Sequence, residues 1–220
     1  MATSRNSRFP QTRHSREDVA AAALKILDDY GLADLTMRRL AATLDVQPSA
    51  LYWHFSNKQT LLAHLADLIV DRPEAEPADN PARPGPWRAA ASAEAEALRA
   101  SLLAYRDGAE VVSSTLALGL GADAPARRLT RIFEDGGVDP ETASAAAAVL
   151  IHFALGYVSH EQQRIQADSI GAVAPESAAA PAAITHPRGA DGFGFGVNLI
   201  LDGLSEHAGR PEGSRAAEAR

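Results

Sequence analysis

An all-α fold, with a small N-terminal helical domain followed by a larger helical body, is what the 220-residue sequence predicts. Three observations carry it. Aromatic residues make up only 5% of the chain while alanine runs recur, a composition that favours helix. Strand-like alternation is hard to find, whereas apolar residues return at intervals of three and four in separate segments. Five prolines between Pro73 and Pro86, in PEAEPADNPARPGP, cannot hold a helix or an interior strand and mark a linker over 73–86 between two domains.

Residues 1–14 are polar and basic without an apolar period, and are expected to form a disordered arm. The opening MATSRNSRFPQTRHSR also lacks the apolar segment of a signal peptide. The N-terminal domain spans 15–72. Its first helix begins at Ser15, where Asp18 in the third position offers a capping-box start. Val19, Ala22, Ala23, Ile26, Leu27 and Tyr30 form its apolar face, and Gly31 stops it.

The stretch LTMRRLAATLDVQPSALYWHFSNK, Leu35 to Lys58, is where spacing, capping and chemistry converge. Thr36 suits an N-cap for a short helix that ends near Asp45 and turns Leu40, Ala41 and Leu44 to one face. A turn follows. Pro48 lacks an N–H and so suits the first position of a second helix, expected over Ser49–Phe55. Leu51 and Phe55, four apart, face the first helix and leave Gln47, Ser49, Tyr52, Trp53 and His54 to an outside partner. Three consecutive large side chains cannot all face one core on a 3.6-residue period. Two short helices about three residues apart, the second polar and aromatic, form a helix-turn-helix whose second member lies in a DNA major groove. Ser56 and Gln59 offer a capping box for a fourth helix, which carries Leu61, Leu62, Leu65, Leu68 and Ile69 and connects to the body.

In the body, over 87–208, helices are expected at Trp87–Tyr105, from about Ala109 to Leu120, at Ala126–Glu134 and from Pro140 to about Ala167. Arg106-Asp107-Gly108 reads as a turn, and Gly136-Gly137 closes the third of these helices. Residues 171–189 hold three prolines among small residues and read as a mobile loop. The last helix, about Gly192 to His207, is apolar over more than one face and needs an additional partner. The tail 209–220 is expected to be disordered.

Charge and composition narrow the function. The net charge is −7, yet residues 1–72 carry 9 Lys+Arg against 8 Asp+Glu, leaving 12 against 20 in the remainder. That asymmetry has the sign of an N-terminal DNA reader, with local placement of Arg5, Arg8, Arg13, Arg16, Arg38, Arg39 and Lys58 mattering more than the total. The absence of cysteine excludes disulfides and thiolate metal sites and fits a reducing cytoplasm, the expected location. The longest apolar-rich run, Ala143 to Val158, is 16 residues, short of the ~20 that span a bilayer, so no membrane partner is expected. Catalysis finds little support. His160-Glu161 lacks a second histidine four residues on, where Arg164 stands, and Gly192, Gly194 and Gly196 have no preceding strand to make a dinucleotide loop. No enzyme activity, cofactor or metal is expected.

The run L-T-x-R-x-L-A-x-x-L-x-V followed by P-x-L-Y-W-H-F-x-N-K resembles the tetracycline-repressor (TetR) family of bacterial transcription regulators. LYWH with NK close behind is similar to its tetracycline-repressor branch. The likeness extends to WRAAASAEAEALRASLLAYRDGAEV, HFALGYVSHEQQ and FGFGVNLILDGL, covering most of 15–208. It implies that Thr36, Arg38, Gln47, Pro48, Ser49, Tyr52, Trp53, His54 and Lys58 touch operator DNA. Gln47 and Arg38 suit base edges, Ser49, Tyr52, His54 and Lys58 suit phosphates, and Pro48 and Trp53 suit thymine methyls or sugars. It further implies a homodimer in which the last two long helices of each subunit form a four-helix bundle. Ala146, Ala147, Ala154 and Gly156 allow close approach there, and Leu150, Ile151, Leu155, Leu199, Ile200 and Leu204 supply area.

The family's tetracycline contacts are not kept. Val112 stands in place of a metal-binding histidine, Leu116 and Ala117 in place of Arg-Pro, Glu94 and Leu98 in place of a drug-binding Asn and Phe, and Glu74 in place of a His. His160 replaces the acidic residue before EQ. A more apolar effector is expected, with Leu98, Leu102, Val112, Leu116, Phe133, His152 and Tyr157 as candidate lining or as ordinary core. The expected function is a repressor released from a palindromic operator by a small-molecule effector other than tetracycline. An activator, an effector-independent DNA binder, and a helical small-molecule carrier with a vestigial DNA head stand as alternatives.

Overall fold

The computed structural model describes residues 14–71, 86–169 and 189–208, all helix and connecting turns. The arm before His14, the linker through residue 85, residues 171–188 of the expected loop and the tail lie outside the described residues, while Gly189, expected in that loop, opens the last helix. Nine helices run α1 (Arg16–Tyr30), α2 (Met37–Thr43), α3 (Pro48–Leu51), α4 (Lys58–Val70), α5 (Pro86–Leu103), α6 (Gly108–Ala117), α7 (Ala124–Asp135), α8 (Pro140–Ser169) and α9 (Gly189–Ala208) among the described residues.

The head, α1 to α4, closes on a small apolar core. Ser15 caps α1 through the capping box with Asp18, and Val19, Ala20, Ala23, Ile26 and Leu27 are buried along it. Gly31 ends α1 at φ +86, a backbone state that costs a residue with a Cβ far more, and donates to the Leu27 carbonyl at 2.8 Å. Leu40, Leu51 and Leu65 from α2, α3 and α4, with Leu35 and Phe55 from the turns beside them, complete that core and are almost wholly buried. His14, expected in the disordered arm, is instead placed, its ring Nε2 donating to the Leu44 carbonyl at 3.0 Å.

Two local expectations shift. The α4 N-cap is Asn57, one residue later than expected, because Asn57-x-x-Thr60 completes a reciprocal capping box where Ser56-x-x-Gln59 does not. The reading helix is also shorter than Ser49–Phe55: only Pro48–Leu51 is helical, and Tyr52–His54 form a turn held by the Leu51 carbonyl, which accepts from both His54 N and Phe55 N.

In the body, α8 is the central element. It packs against α5, α6, α7 and α9, burying Ala143, Ala147, Leu150, Ile151, Ala154, Leu155 and Val158. At 30 residues it is longer than expected and, by length and hydropathy alone, long enough to cross a membrane. Its inward face is instead committed to the core. α6 stops at Ala117, three residues early. α9 lies on α8 at close range: a Cβ on Gly196 would come within 2.2 Å of the Phe153 ring. α4 bridges the two regions, packing on α6, α5 and α7. Its Asp67 carboxylate accepts from Ala122 N, in the α6–α7 loop, at 2.7 Å.

Candidate nucleic-acid interface and the body behind it

The α2–α3 pair presents one surface. Thr36 caps α2, its hydroxyl accepting from Arg39 N at 3.1 Å, so its part in the head is structural as well as positional. Arg38, on the next turn, is exposed and makes no intramolecular ion pair among the described residues. It borders a shallow cleft of about 370 Å³ with Ala33, Asp34, Thr36, Arg39 and Ala42. Gln47, Pro48 and Ser49 are exposed at the start of α3. Trp53 is 90% exposed and Tyr52 51%, while His54 and Lys58 are half-buried at the edge of the same surface. An indole held almost wholly in water, on an element anchored by buried Leu51 and Phe55, suits a partner that supplies the missing apolar contact.

Two arginines counted toward phosphates are already engaged. Arg39 pairs with Asp34 and lies 3.8 Å from the centroid of the Tyr30 ring, so it braces α1 against α2. Arg16 lies 4.8 Å above the Phe55 ring. Neither contact follows from sequence spacing, because each joins side chains from different elements.

The candidate effector residues divide. Leu98, Leu102, Val112 and Phe133 are buried in the continuous core, and Leu116 and Tyr157 are half-buried against it. His152 is a correction: it is exposed on the outward stripe of α8, between Val149 and Gly156, and is not among them. Burial holds the Tyr157 phenol above its ordinary pKa, with the charge of Glu161 adding to the effect. Its ring packs on Phe153 and Phe193, at centroid distances of 5.7 and 5.5 Å.

Polar side chains that spacing alone did not single out cross this interior. Glu94, 5% exposed, accepts from Arg128 Nε at 2.7 Å, and Arg128 also donates to the Val70 carbonyl at the end of α4 at 3.4 Å. Thus an ion pair fills the position where the resemblance implies a drug-binding Asn. Arg99 grips Glu161 through two bonds of 2.6 and 3.1 Å. Gln162 donates to the Leu102 and Tyr105 carbonyls at 2.9 and 2.8 Å and accepts from Ala109 N at 3.3 Å. Only Gln162 had a readable signal: it continues the inward register of Leu155 and Val158.

An outward apolar stripe remains on α8 and α9. Val149 is 54% exposed, Phe195 61% and Leu199 57%.

Comparison with known proteins agrees with this layout. The profile of bacterial regulatory proteins of the tetR family matches residues 19–65, and that of the tetracycline repressor-like C-terminal domain matches 80–208. The class C tetracycline repressor of Escherichia coli is 34% identical over 204 residues, covering 87% of this chain and 90% of its own. The crystal structure of Mycobacterium smegmatis BioQ superposes with a TM-score of 0.75 at 41% identity, covering 88% of this chain and 99% of that one. BioQ with its natural double-stranded DNA operator gives 0.68 at 39% identity, covering 87% and 98%. A helix-turn-helix head with its polar and aromatic surface free, joined to a helical body that the second profile spans, therefore places the chain in the TetR family, as a DNA-binding transcriptional regulator and not an enzyme.

Proposed function

We propose that the chain acts as a homodimeric repressor of a palindromic operator, released by a small apolar effector other than tetracycline. The observation that carries the DNA half is the exposed set Arg38, Gln47, Pro48, Ser49, Tyr52 and Trp53, flanked by His54 and Lys58, on a head whose core draws on the neighbouring Leu51 and Phe55 instead. The relatives named repressors, and the operator complex of BioQ, support the same reading. The stripe of Val149, Phe195 and Leu199 supports self-association through α8 and α9, and the exposed His152 belongs with it. This corrects the residues expected there: Ala147, Leu150, Ile151, Ala154, Leu155 and Leu204 are already buried within the chain, because the inward face of α8 packs on its own body, so the area for a second copy comes from the outward residues, Leu199 among them.

Effector choice follows the interior. Val112, Leu116 and Leu98 offer no polar contact to a metal–drug chelate, and Glu94 is committed to Arg128. Leu98, Leu102, Val112, Leu116, Phe133 and Tyr157 surround the space that an apolar effector would open. An effector that prefers the conformation with badly spaced heads lowers DNA affinity by the factor that DNA lowers its own.

The test is fluorescence anisotropy of the full chain on the DNA flanking its gene, across several salt concentrations and against random competitor. Competitor-resistant binding of two protomers per site is expected, with no release by micromolar tetracycline and magnesium. Weak, sequence-blind binding there and to DNA selected from a random pool would overturn the repressor reading.

A further inference from the structure

We propose that Asp34 is a specificity-determining residue for DNA: its carboxylate occupies Arg39 where a backbone phosphate would otherwise sit, and so holds down binding to DNA of any sequence. The selectivity part of this inference rests on the operator reading above.

Two arginines and a lysine stand on or beside the reading helices, and they differ in what holds them. Arg38 is exposed and Lys58 half-buried, and neither makes an ion pair among the described residues. Arg39, next to Arg38 on α2, is paired: its Nη1 donates to Asp34 Oδ1, from the loop that precedes the helix. The Tyr30 ring, its centroid 3.8 Å from the guanidinium carbon, backs the group from α1. The guanidinium is thus braced by an aromatic ring and engaged at one edge by a carboxylate. Both members of the pair border the cleft of about 370 Å³ that Arg38 also lines, where Asp34 is the acid set against two arginines.

The pair has the chemistry of the DNA contact it replaces. A carboxylate and a phosphodiester each spread one negative charge over two terminal oxygens, and a guanidinium grips either through its N–H edge. Asp34 lies five positions from Arg39 on the same chain, so it is in place before any DNA arrives. The pair is half-exposed, with 35% of the Arg39 and 54% of the Asp34 side chain in water, and pairs of that kind add little to stability. An acid that adds little to the fold, on a surface that must approach a polyanion, points to a role in binding.

That role is selectivity. Binding to random DNA is phosphate neutralisation, and a head with no base contacts to hold it shifts until each available cation finds a phosphate. On an operator, Arg38 and Gln47 set the register, so Arg39 has no such freedom. Occupying Arg39 internally therefore subtracts more from sequence-blind binding than from operator binding, and the ratio of the two governs how a regulator finds its site among competitors.

The experiment measures fluorescence anisotropy of the full-length chain on a random-sequence duplex and on an operator recovered by selection, across a salt series. Asp34→Asn is expected to tighten random DNA about fivefold and to steepen log affinity against log salt by about one per head, with the operator tightened about twofold or less. Asp34→Glu, which keeps the charge, should follow wild type. Arg39→Ala alone should change random binding by less than about twofold, and added to Asp34→Asn it should return affinity and salt slope to their wild-type values. A merely structural pair would move the thermal midpoint and leave the salt slope alone.

An unchanged salt slope in Asp34→Asn would overturn the proposal, and so would a gain that persists without Arg39, the signature of plain repulsion by the carboxylate. Equal tightening on operator and random DNA would remove Asp34 from selectivity. Failure to recover any operator with the wild-type chain would instead sink the operator reading and the selectivity claim with it, while the random-DNA series would still decide whether Asp34 masks Arg39.

Discussion

The head displays Tyr52 and Trp53 above a core of aliphatic side chains and Phe55, while the body buries charges. Trp53 stands 90% exposed on a turn anchored by Leu51 and Phe55, whereas Glu94 is 5% exposed and held by Arg128 between α5 and α7. The difference teaches where each region keeps its function. The reading surface is separable from the core beneath it, so its residues can be removed without loosening the fold. In the body the polar groups are part of what holds the helices together, so function and stability share the same atoms.

The largest test of that contrast is Arg128→Met. Removing the Arg128 guanidinium from the buried Glu94 carboxylate should cost about 3–5 kcal/mol of unfolding free energy, and adding Glu94→Leu should restore most of it. Urea denaturation checks both; a single variant as stable as wild type would mean that body charges behave like surface ones. Next is the reading surface. Arg38→Ala should lose ~1–3 kcal/mol on the operator and relax base preference with an unchanged thermal midpoint, while Lys58→Ala should weaken all sequences alike and reduce the salt slope by about one. Equal losses on operator and random DNA for both would erase the division between base and phosphate contacts.

The smallest effect concerns the α1 cap. The Ser15 backbone N–H, then its hydroxyl, hold the Asp18 carboxyl below its ordinary pKa. A carboxylate depressed in the folded state contributes stability above its ordinary range and loses it as pH falls through the folded value. Ser15→Ala should therefore raise the Asp18 titration, read by NMR, and shrink the acid-side loss of α1. An unmoved titration would show that the hydroxyl contributes nothing to the cap.

What the sequence made legible was local. Ser15 with Asp18 and Thr36 with Arg39 N are caps whose partners lie within three residues, and Pro48 opens the first turn of α3; all three stand as expected. Asn57 was missed by one position because two overlapping capping patterns compete there and only Thr60 closes the bond in both directions. Arg39 counted among the basic residues of a DNA reader because its partners, Asp34 and the Tyr30 ring, are set by how α1 crosses α2. His152 read as interior because α8 is apolar nearly all round, and only its packing on four helices decides which stripe faces out. Asp107 read as a turn residue; the groups its carboxylate accepts from, Leu32 N and the Gln166 amide, are 75 and 59 positions away, and no spacing rule reaches that far.

The four-residue α3 has a consequence for how such a protein can change. A helix of one turn owes its order to Leu51 and Phe55 beneath it, not to its own hydrogen bonds. Gln47, Ser49, Tyr52 and Trp53 are therefore nearly free letters on a fixed frame. A duplicated copy of this gene could acquire a new operator through a handful of substitutions there, each neutral for folding, and leave its parent's regulatory circuit without first passing through an unfolded intermediate.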